Sequence, residues 1–389
     1  MHIIVIGAGL AGLTVAIALA KGGHKVEILE SAPAISYIGA VSSNSSRILR
    51  KLGVDKYVEK YCTEPVDLRM MRWNTGQILV EAAVDLGCQI HLNSRVVRIE
   101  PETGSAITQD SVTYHGDLVV ASDGLNSMAR AVVLGRPGPP VPTGQMAYRV
   151  TLPAATLRGI PELEEIITVP RNNHWLGPHG TILSYLLQGQ DEPLINFVFT
   201  CDVNEKDLPP GVDQRMGTAE EVRNNFKGWD PRIETMLGHV KDVLYWRLYT
   251  HEPIASWSHP SHRLTLIGDA AHAMTPYLAQ GAAMGIEDAA ILGGILSHPR
   301  YSSPSTLSAA LALYEHLRLS RATKVASASV ESRWFTQMED GAKQRERDEW
   351  LLLHPGIEEG HINIRSDKIW LDELFGYDAY KVLDEYLGE

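Results

Sequence analysis

Residues 2–12 read His-Ile-Ile-Val-Ile-Gly-Ala-Gly-Leu-Ala-Gly, a short apolar run that breaks into three spaced glycines. An apolar run without alternation suits a strand buried on both faces of a parallel sheet. Residues 13–21 then have helical spacing and stop at Gly22-Gly23, and residues 25–29 give a second strand closed by Glu30. Gly7-x-Gly9-x-x-Gly12 therefore lies between a strand and a helix, with an acid at the end of the next strand. That setting gives the spacing its meaning. Gly7 permits the tight turn, Gly9 lets backbone approach a pyrophosphate, and Gly12 allows close helix–strand packing. The free N–H groups and partial positive charge of the helix start attract phosphates, and Glu30 can accept bonds from ribose hydroxyls. The motif serves FAD and NAD alike.

The same segment, residues 3–20, is long and uncharged enough to be mistaken for a membrane span. Its glycines and the lack of a basic leader argue against that, and a soluble, cytoplasmic protein is expected. With 389 residues, 44% hydrophobic and 21% charged, the chain is ordinary globular material for one large α/β unit or two domains. A net charge of −12 with no basic block speaks against nucleic acid or anionic membranes as partners. Cys62, Cys88 and Cys201 are scattered, which points to a reducing compartment and to no metal site.

Further helices are expected at residues 44–52, 80–86, 217–227, 230–237, 281–296 and 305–331. Buried-type strands are expected at 118–121 and 263–267, and an antiparallel patch at 96–99, 107–109 and 111–114, after a strand near 89–92. Short alternating runs at 147–152, 181–187 and 195–200 mark a β-rich layer. The Pro/Gly-rich 136–142 is a boundary candidate, and the charged 336–349 reads as a flexible loop. The expected domains are 1–135, with a shortened insertion near 65–80; a β-rich substrate domain over 136–255; a return to the first domain over 256–335; and a C-terminal extension over 336–389.

Two more segments carry chemistry. One runs from Asp117 through Asp123-Gly124 to Ser127, then Arg130; the other is Gly268-Asp269-Ala270-Ala271-His272, then Pro276 and Gln280-Gly281-Ala282-Ala283. Asp269 at a strand end can bond a ribityl or ribose hydroxyl, and Gly281-Ala282 open a helix whose N–H groups can face an anion. In this order, with Trp370 and Phe375-Gly376-Tyr377-Asp378-Ala379 near the C-terminus, the motifs resemble those of the single-component FAD-dependent aromatic hydroxylases. These are the group A flavoprotein monooxygenases, and the resemblance is especially to the salicylate hydroxylase-like branch of fungal secondary metabolism.

The resemblance implies an α/β fold: a Rossmann-like FAD-binding domain of glutathione-reductase type, interleaved with a β-sheet substrate domain and closed by C-terminal helices. It implies FAD held by Gly7, Gly9, Gly12, Glu30, Ala40, Asp123, Asp269, Gly281 and Ala282. Pro276 falls where the family places a proline beside the flavin. It also implies NAD(P)H as a transient co-substrate without a domain of its own, O₂, and a small aromatic substrate. Arg149, in Ala147-Tyr148-Arg149, and Tyr185 match the pair that activates a phenol: an arginine lowers a phenol's pKa and a tyrosine hydroxyl orients the phenolate. His272 is expected to pack rather than to catalyse. Asp123 either holds the pyrophosphate loop or meets the nicotinamide cofactor indirectly, and Arg130 either reaches a phosphate or caps a helix end. The chain departs from the pattern between Glu30 and Asp123. The loop at residues 38–44 is short, and the segment after Trp73 runs straight into a helix tail with no counterpart of the family's FAD-contacting arginine. Two other outcomes stay open on this scaffold: epoxidation or oxidation of a non-aromatic metabolite, and a catalytically impaired relative.

Overall fold

The computed structural model describes residues 1–35, 42–54, 62–63, 70–71, 75–169, 171–188, 192–203 and 213–388. Ala40 and Trp73, named above, lie outside them. The chain opens with β1 (His2–Ile6), α1 (Leu10–Lys21), β2 (Lys25–Leu29) and α2 (Ser43–Lys51). The short β3 (Cys62–Thr63) and β4 (Met70–Met71) precede α3 (Thr75–Asp85) and β5 (Gln89–His91). β6 (Val96–Glu100), β7 (Ser105–Thr108) and β8 (Thr113–His115) form a small antiparallel sheet, followed by β9 (Leu118–Ala121) and α4 (Met128–Leu134). The uncharged stretch at 3–20 is thus strand, turn and helix, and no helix among the described residues is long and apolar enough to cross a membrane.

The second half begins with β10 (Val141–Pro153), α5 (Glu164–Thr168), β11 (Asn173–Gly177), β12 (Gly180–Gln188), β13 (Pro193–Asp202) and β14 (Gln214–Thr218). α6 (Ala219–Asn225), α7 (Pro231–Leu237), β15 (Asp242–Thr250), β16 (Leu264–Leu266) and α8 (Asp269–His272) follow. The chain ends in α9 (Gly281–Ser297), α10 (Leu307–Thr336), α11 (Ala342–Leu353), α12 (Lys368–Gly376) and α13 (Ala379–Leu387).

Two sheets organise the molecule. A parallel sheet has the order β16-β9-β1-β2-β5, and a six-stranded antiparallel sheet has the order β11-β12-β13-β10-β15-β14. The first explains the unbroken apolar runs: Ile3, Ile4, Val5 and Leu118–Ala121 are fully buried between helices. The second buries one face only. Met146, Tyr148 and Val150 of β10 pack with Phe197, Phe199, Ile182 and Tyr245 against α5–α7. The alternate residues Gln145, Ala147, Arg149 and Thr151 look the other way.

The expected flexible loop at 336–349 is corrected by α11. Ala342 to Leu353 are nearly all strong helix formers, so charge alone was a poor guide to disorder. Gln344 closes the first turn onto Gly341 N, and Arg347 is buried, donating to Phe335 O at 2.6 Å. Charged residues here cover a solvent-facing helix.

Candidate functional site: a dinucleotide cradle beside a polar sheet face

α1 and α9 cross on small residues. A Cβ on Gly285 would lie 2.9 Å from Ala11 Cβ, and one on Gly293 would lie 2.4 Å from Ala18 Cβ. This close approach brings two helix N-termini to one place. Neither Gly9, the N-cap of α1, nor Gln280, the N-cap of α9, supplies a side-chain cap. Their first-turn N–H groups are therefore left for a ligand.

The three glycines of the opening turn differ in what surrounds them. Gly7 has φ +93°, and a Cβ there would meet Ser122 O at 2.5 Å. A Cβ on Gly12 would meet Gly7 O at 2.0 Å. A Cβ on Gly9 would meet nothing within 4 Å, so the space before the α1 N-terminus is open on that side. Glu30 is buried and accepts bonds from Ala8 N (2.8 Å), Ala32 N (2.7 Å) and Ser31 Oγ (3.2 Å). A carboxylate offers about four acceptor positions, so one remains for a hydroxyl.

Asp269 is the most telling acid. Its side chain is accessible to water, yet protein surrounds it closely enough that desolvation pushes its carboxyl upward. Its carboxyl is thus open to solvent although protein lies close around it. It has no hydrogen-bond partner among the described residues. Gly281, half-buried at the start of α9, faces it: a Cβ there would lie 3.9 Å from Asp269 Oδ1. An open cradle, two uncapped helix starts and an unpartnered acid between them fit a dinucleotide such as FAD.

Asp123 turns inward. It accepts from Ser127 Oγ at 2.6 Å and Ala129 N at 3.2 Å, and so fixes the start of α4, while burial raises its pKa. Arg130 is buried and donates to Ala271 O (2.8 Å) and Ala270 O (3.3 Å) at the end of α8, with Glu252 O as a further partner. It thus takes the helix-end role rather than the phosphate role. His272 is buried too, with Nε2 2.6 Å from Asp288 Oδ2 and its ring against Trp257.

Sequence reading missed what lies beneath the second helix start. Arg318, fully buried, pairs with Glu287 (2.6 Å) and Asp288 (2.8 Å), and Arg321 grips Glu287 at 2.8 and 2.9 Å. Asn44 Nδ2 also reaches Glu287 (2.8 Å), and Gly268 N reaches Asp288 (2.9 Å). Tyr377 lies over the cluster, with Arg321 3.8 Å from its ring centroid. Burial disfavours charge on Asp288, but the neighbouring His272 and the Arg318 guanidinium outweigh it and hold the acid at about 2. The signal available was the Glu287-Asp288 pair six residues into an otherwise apolar helix, a place where acids need partners.

The polar face of the antiparallel sheet meets the loop before α9. Tyr277 donates to Gln145, and Gln337 Nε2 reaches Tyr277 (3.1 Å) and Thr200 (3.3 Å). Four residues further along β10, roughly 13 Å, Arg149 donates through Nε to Asn196 Oδ1 at 2.9 Å. Thr151 holds the same oxygen at 3.0 Å, while Asn196 Nδ2 is buried without a partner. Tyr185 pairs with Asn196 across the ladder and so shares that face. Burial raises the Tyr185 hydroxyl and the Arg149 charge opposes the rise. The structure therefore brings Arg149 and Tyr185 together. Among the described residues, the Arg149 Nη groups and the Tyr185 hydroxyl have no partner. A separate cavity of about 770 Å³, lined by His174, Trp175, Lys227, Trp229 and Asp340, opens at the β11 edge and touches none of these groups.

The fold and cradle are those of a flavin-binding protein, and the model of an FAD binding domain matches residues 68–329; that of an FAD dependent oxidoreductase matches residues 2–75. The chain belongs to the FAD-dependent monooxygenases. It is 33% identical to the FAD-dependent monooxygenase OpS4 of Beauveria bassiana, across 99% of this chain and 96% of that one. It is 30% identical to the 6-hydroxynicotinate 3-monooxygenase of Pseudomonas fluorescens, across 87% and 93%. A salicylate hydroxylase solved with its substrate shares the fold, with a TM-score of 0.80 at 22% identity, covering 100% of this chain and 98% of that one. The cofactor is FAD.

The glycines give a direct test. Gly9 has φ −66°, which any residue adopts, and open space beside it. Gly9→Val should leave the apoprotein's melting temperature nearly unchanged, within about 0.5 kcal/mol, and weaken FAD binding at least about tenfold, since the side chain fills the approach to the N–H groups. Flavin fluorescence quenching on titration measures both proteins. Equal affinities would remove Gly9 from the cradle.

Proposed function

We propose that this chain hydroxylates a phenolic or salicylate-like aromatic ring, with NAD(P)H as reductant and O₂ as oxidant, in the cytoplasm. Gly7, Gly9, Gly12 and Glu30 hold the adenosine and pyrophosphate end of FAD, and Asp269, Gly281 and Ala282 hold the part nearer the ring. Bound there, FAD supplies electron transfer and oxygen activation. The protein supplies binding, orientation and a dry surface.

The observation that carries this reading is the pair Arg149 and Tyr185 on the sheet face beyond Tyr277. A guanidinium with unused N–H groups favours phenolate over phenol, which makes the ring electron-rich. The Tyr185 hydroxyl, held protonated by burial, donates a bond that fixes the phenolate oxygen. Asn196 holds Arg149 in register, so Arg149 acts on the substrate and Asn196 acts through Arg149.

Purified protein titrated with FAD tests the reading. It should take up FAD, show flavin absorbance, bleach on addition of NADPH or NADH, and bleach faster when a phenol or salicylate is present. Protein that stays colourless at saturating FAD would overturn the hydroxylase reading. Oxygen incorporation only into a non-aromatic compound would replace it with an epoxidase or oxidase on the same scaffold.

A further inference from the structure

We propose that Arg365, backed by His174 and Thr181, forms an anion subsite at the far end of the sheet face that carries Arg149 and Tyr185, suited to the carboxylate of an extended aromatic acid. The inference rests on the hydroxylase reading above and narrows its substrate class.

Arg149 pairs with Val198, Val198 with Leu183, and Leu183 with His174. Residues directly paired across strands project to the same face, so Arg149 and His174 lie on one row, three strand spacings or about 14 Å apart, with His174 at its end on the edge strand. Val198 and Leu183 between them are half-buried and apolar. They make a floor on which an aromatic body can lie.

Arg365 comes to this row from the loop before α12. Its neighbour Ile364 packs against the cluster of Leu278, Met284, Trp370 and Leu374, so the loop is tied to the segment that opens α9. Arg365 Nη1 lies 3.3 Å from His174 Nδ1, and His174 Nε2 lies 2.8 Å from Thr181 Oγ1. The Thr181 hydroxyl has one proton, and Trp175 O at 2.9 Å accepts it. His174 must then donate from Nε2 and accept at Nδ1, which makes it a neutral acceptor for the guanidinium. Burial, with the Arg365 charge adding to it, pushes His174 down to about 3.

Arg365 thus spends one of five N–H donors on an uncharged ring. No carboxylate lies within ion-pair distance of it among the described residues, although burial pushes its pKa down to about 10. A partly desolvated guanidinium without a counter-ion is costly, and a carboxylate matches its planar fork at two points. The spacing from Arg149 suits an acid whose carboxylate is set off from the reacting phenol by a second ring or a side chain.

The test uses 6-hydroxy-2-naphthoate and its methyl ester as probes. Each is titrated into FAD-loaded and FAD-free wild type, Arg365→Met and Arg365→Lys, and followed by the change in the naphthalene ring's own fluorescence. Wild type should bind the acid at least about tenfold more tightly than the ester. Arg365→Met should lose that preference while its affinity for the ester stays within about twofold, and Arg365→Lys should keep part of it. Equal binding of acid and ester by wild type, or an undiminished preference in Arg365→Met, would overturn the subsite. If Arg365→Met fails to fold, a full preference retained by Arg365→Lys together with equal binding of a dicarboxylate competitor would count against it, and a reduced one for it. FAD uptake and bleaching without any acid preference would sink the subsite and leave the hydroxylase reading intact. An acid preference in a protein that takes up no FAD would do the reverse.

Discussion

Arg318→Met is expected to destabilise the protein by about 3–5 kcal/mol, because it leaves buried carboxylates short of a counter-charge. Arg318, Glu287 and Asp288 are all fully buried, and the two acids approach Arg318 at 2.6 and 2.8 Å. Methionine fills much of the volume but supplies no proton. Arg321 still faces Glu287 and His272 still faces Asp288, so the loss is large rather than total. In thermal unfolding the midpoint should fall by roughly 6–10 °C, taking about 2 °C per kcal/mol for a long chain. FAD affinity should fall with it, since Asp288 also holds Gly268 N beside Asp269. Arg318→Lys keeps a charge without the planar fork and should lose about half as much. A midpoint within about 1 °C of wild type would show that the cluster is dispensable.

The same cluster gives a pH dependence of known sign. Asp288 is held at about 2, below the ordinary aspartate value of about 3.9. A group depressed on folding contributes stability that is fully present above its unfolded pKa. That contribution fades as pH falls from about 4 towards 2. The gap in melting temperature between wild type and Arg318→Met should therefore narrow on acidification through that window. A gap that widens there would place the stabilising charge elsewhere.

What sequence could reveal follows the range of the interactions. The strand–glycine–helix opening was legible because its causes are local: period, turn glycines and an acid at the next strand end. Residues 118–121 and 264–266 were legible because parallel strands buried on both faces read as apolar runs. β11, Asn-His-Trp-Leu-Gly, carries no such alternation and exists because β12 pairs with it. Arg318 and Arg321 lie some thirty residues from the acids they neutralise, and only the crossing of α9 with α10 joins them. Arg365 was invisible for the same reason: nothing in its surrounding sequence points to His174, which lies far back on an edge strand. Ala40 lies outside the described residues.

Arg149→Met is expected to cut product formation by about 10²–10³-fold, the usual cost of removing one fixed donor to a developing anion. Bound FAD should be unchanged, because Arg149 stands on the sheet face and its one bond among the described residues goes to Asn196. A cation close to a phenol lowers its pKa by about 1–3 units. Without it the bound phenol ionises at higher pH, so activity should recover partly in alkali, which a purely structural role would not produce. The shift can be read without the natural substrate. 4-Nitrophenol is coloured only as its phenolate, and its apparent pKa when bound should be lower on wild type than on Arg149→Met. Tyr185→Phe removes one neutral hydrogen bond and should cost less, about tenfold. Its variant should keep the wild-type phenol pKa if Arg149 alone sets the charge. Equal bound pKa values in wild type and Arg149→Met would take phenolate activation away from Arg149 and leave it as a strand residue tied to Asn196.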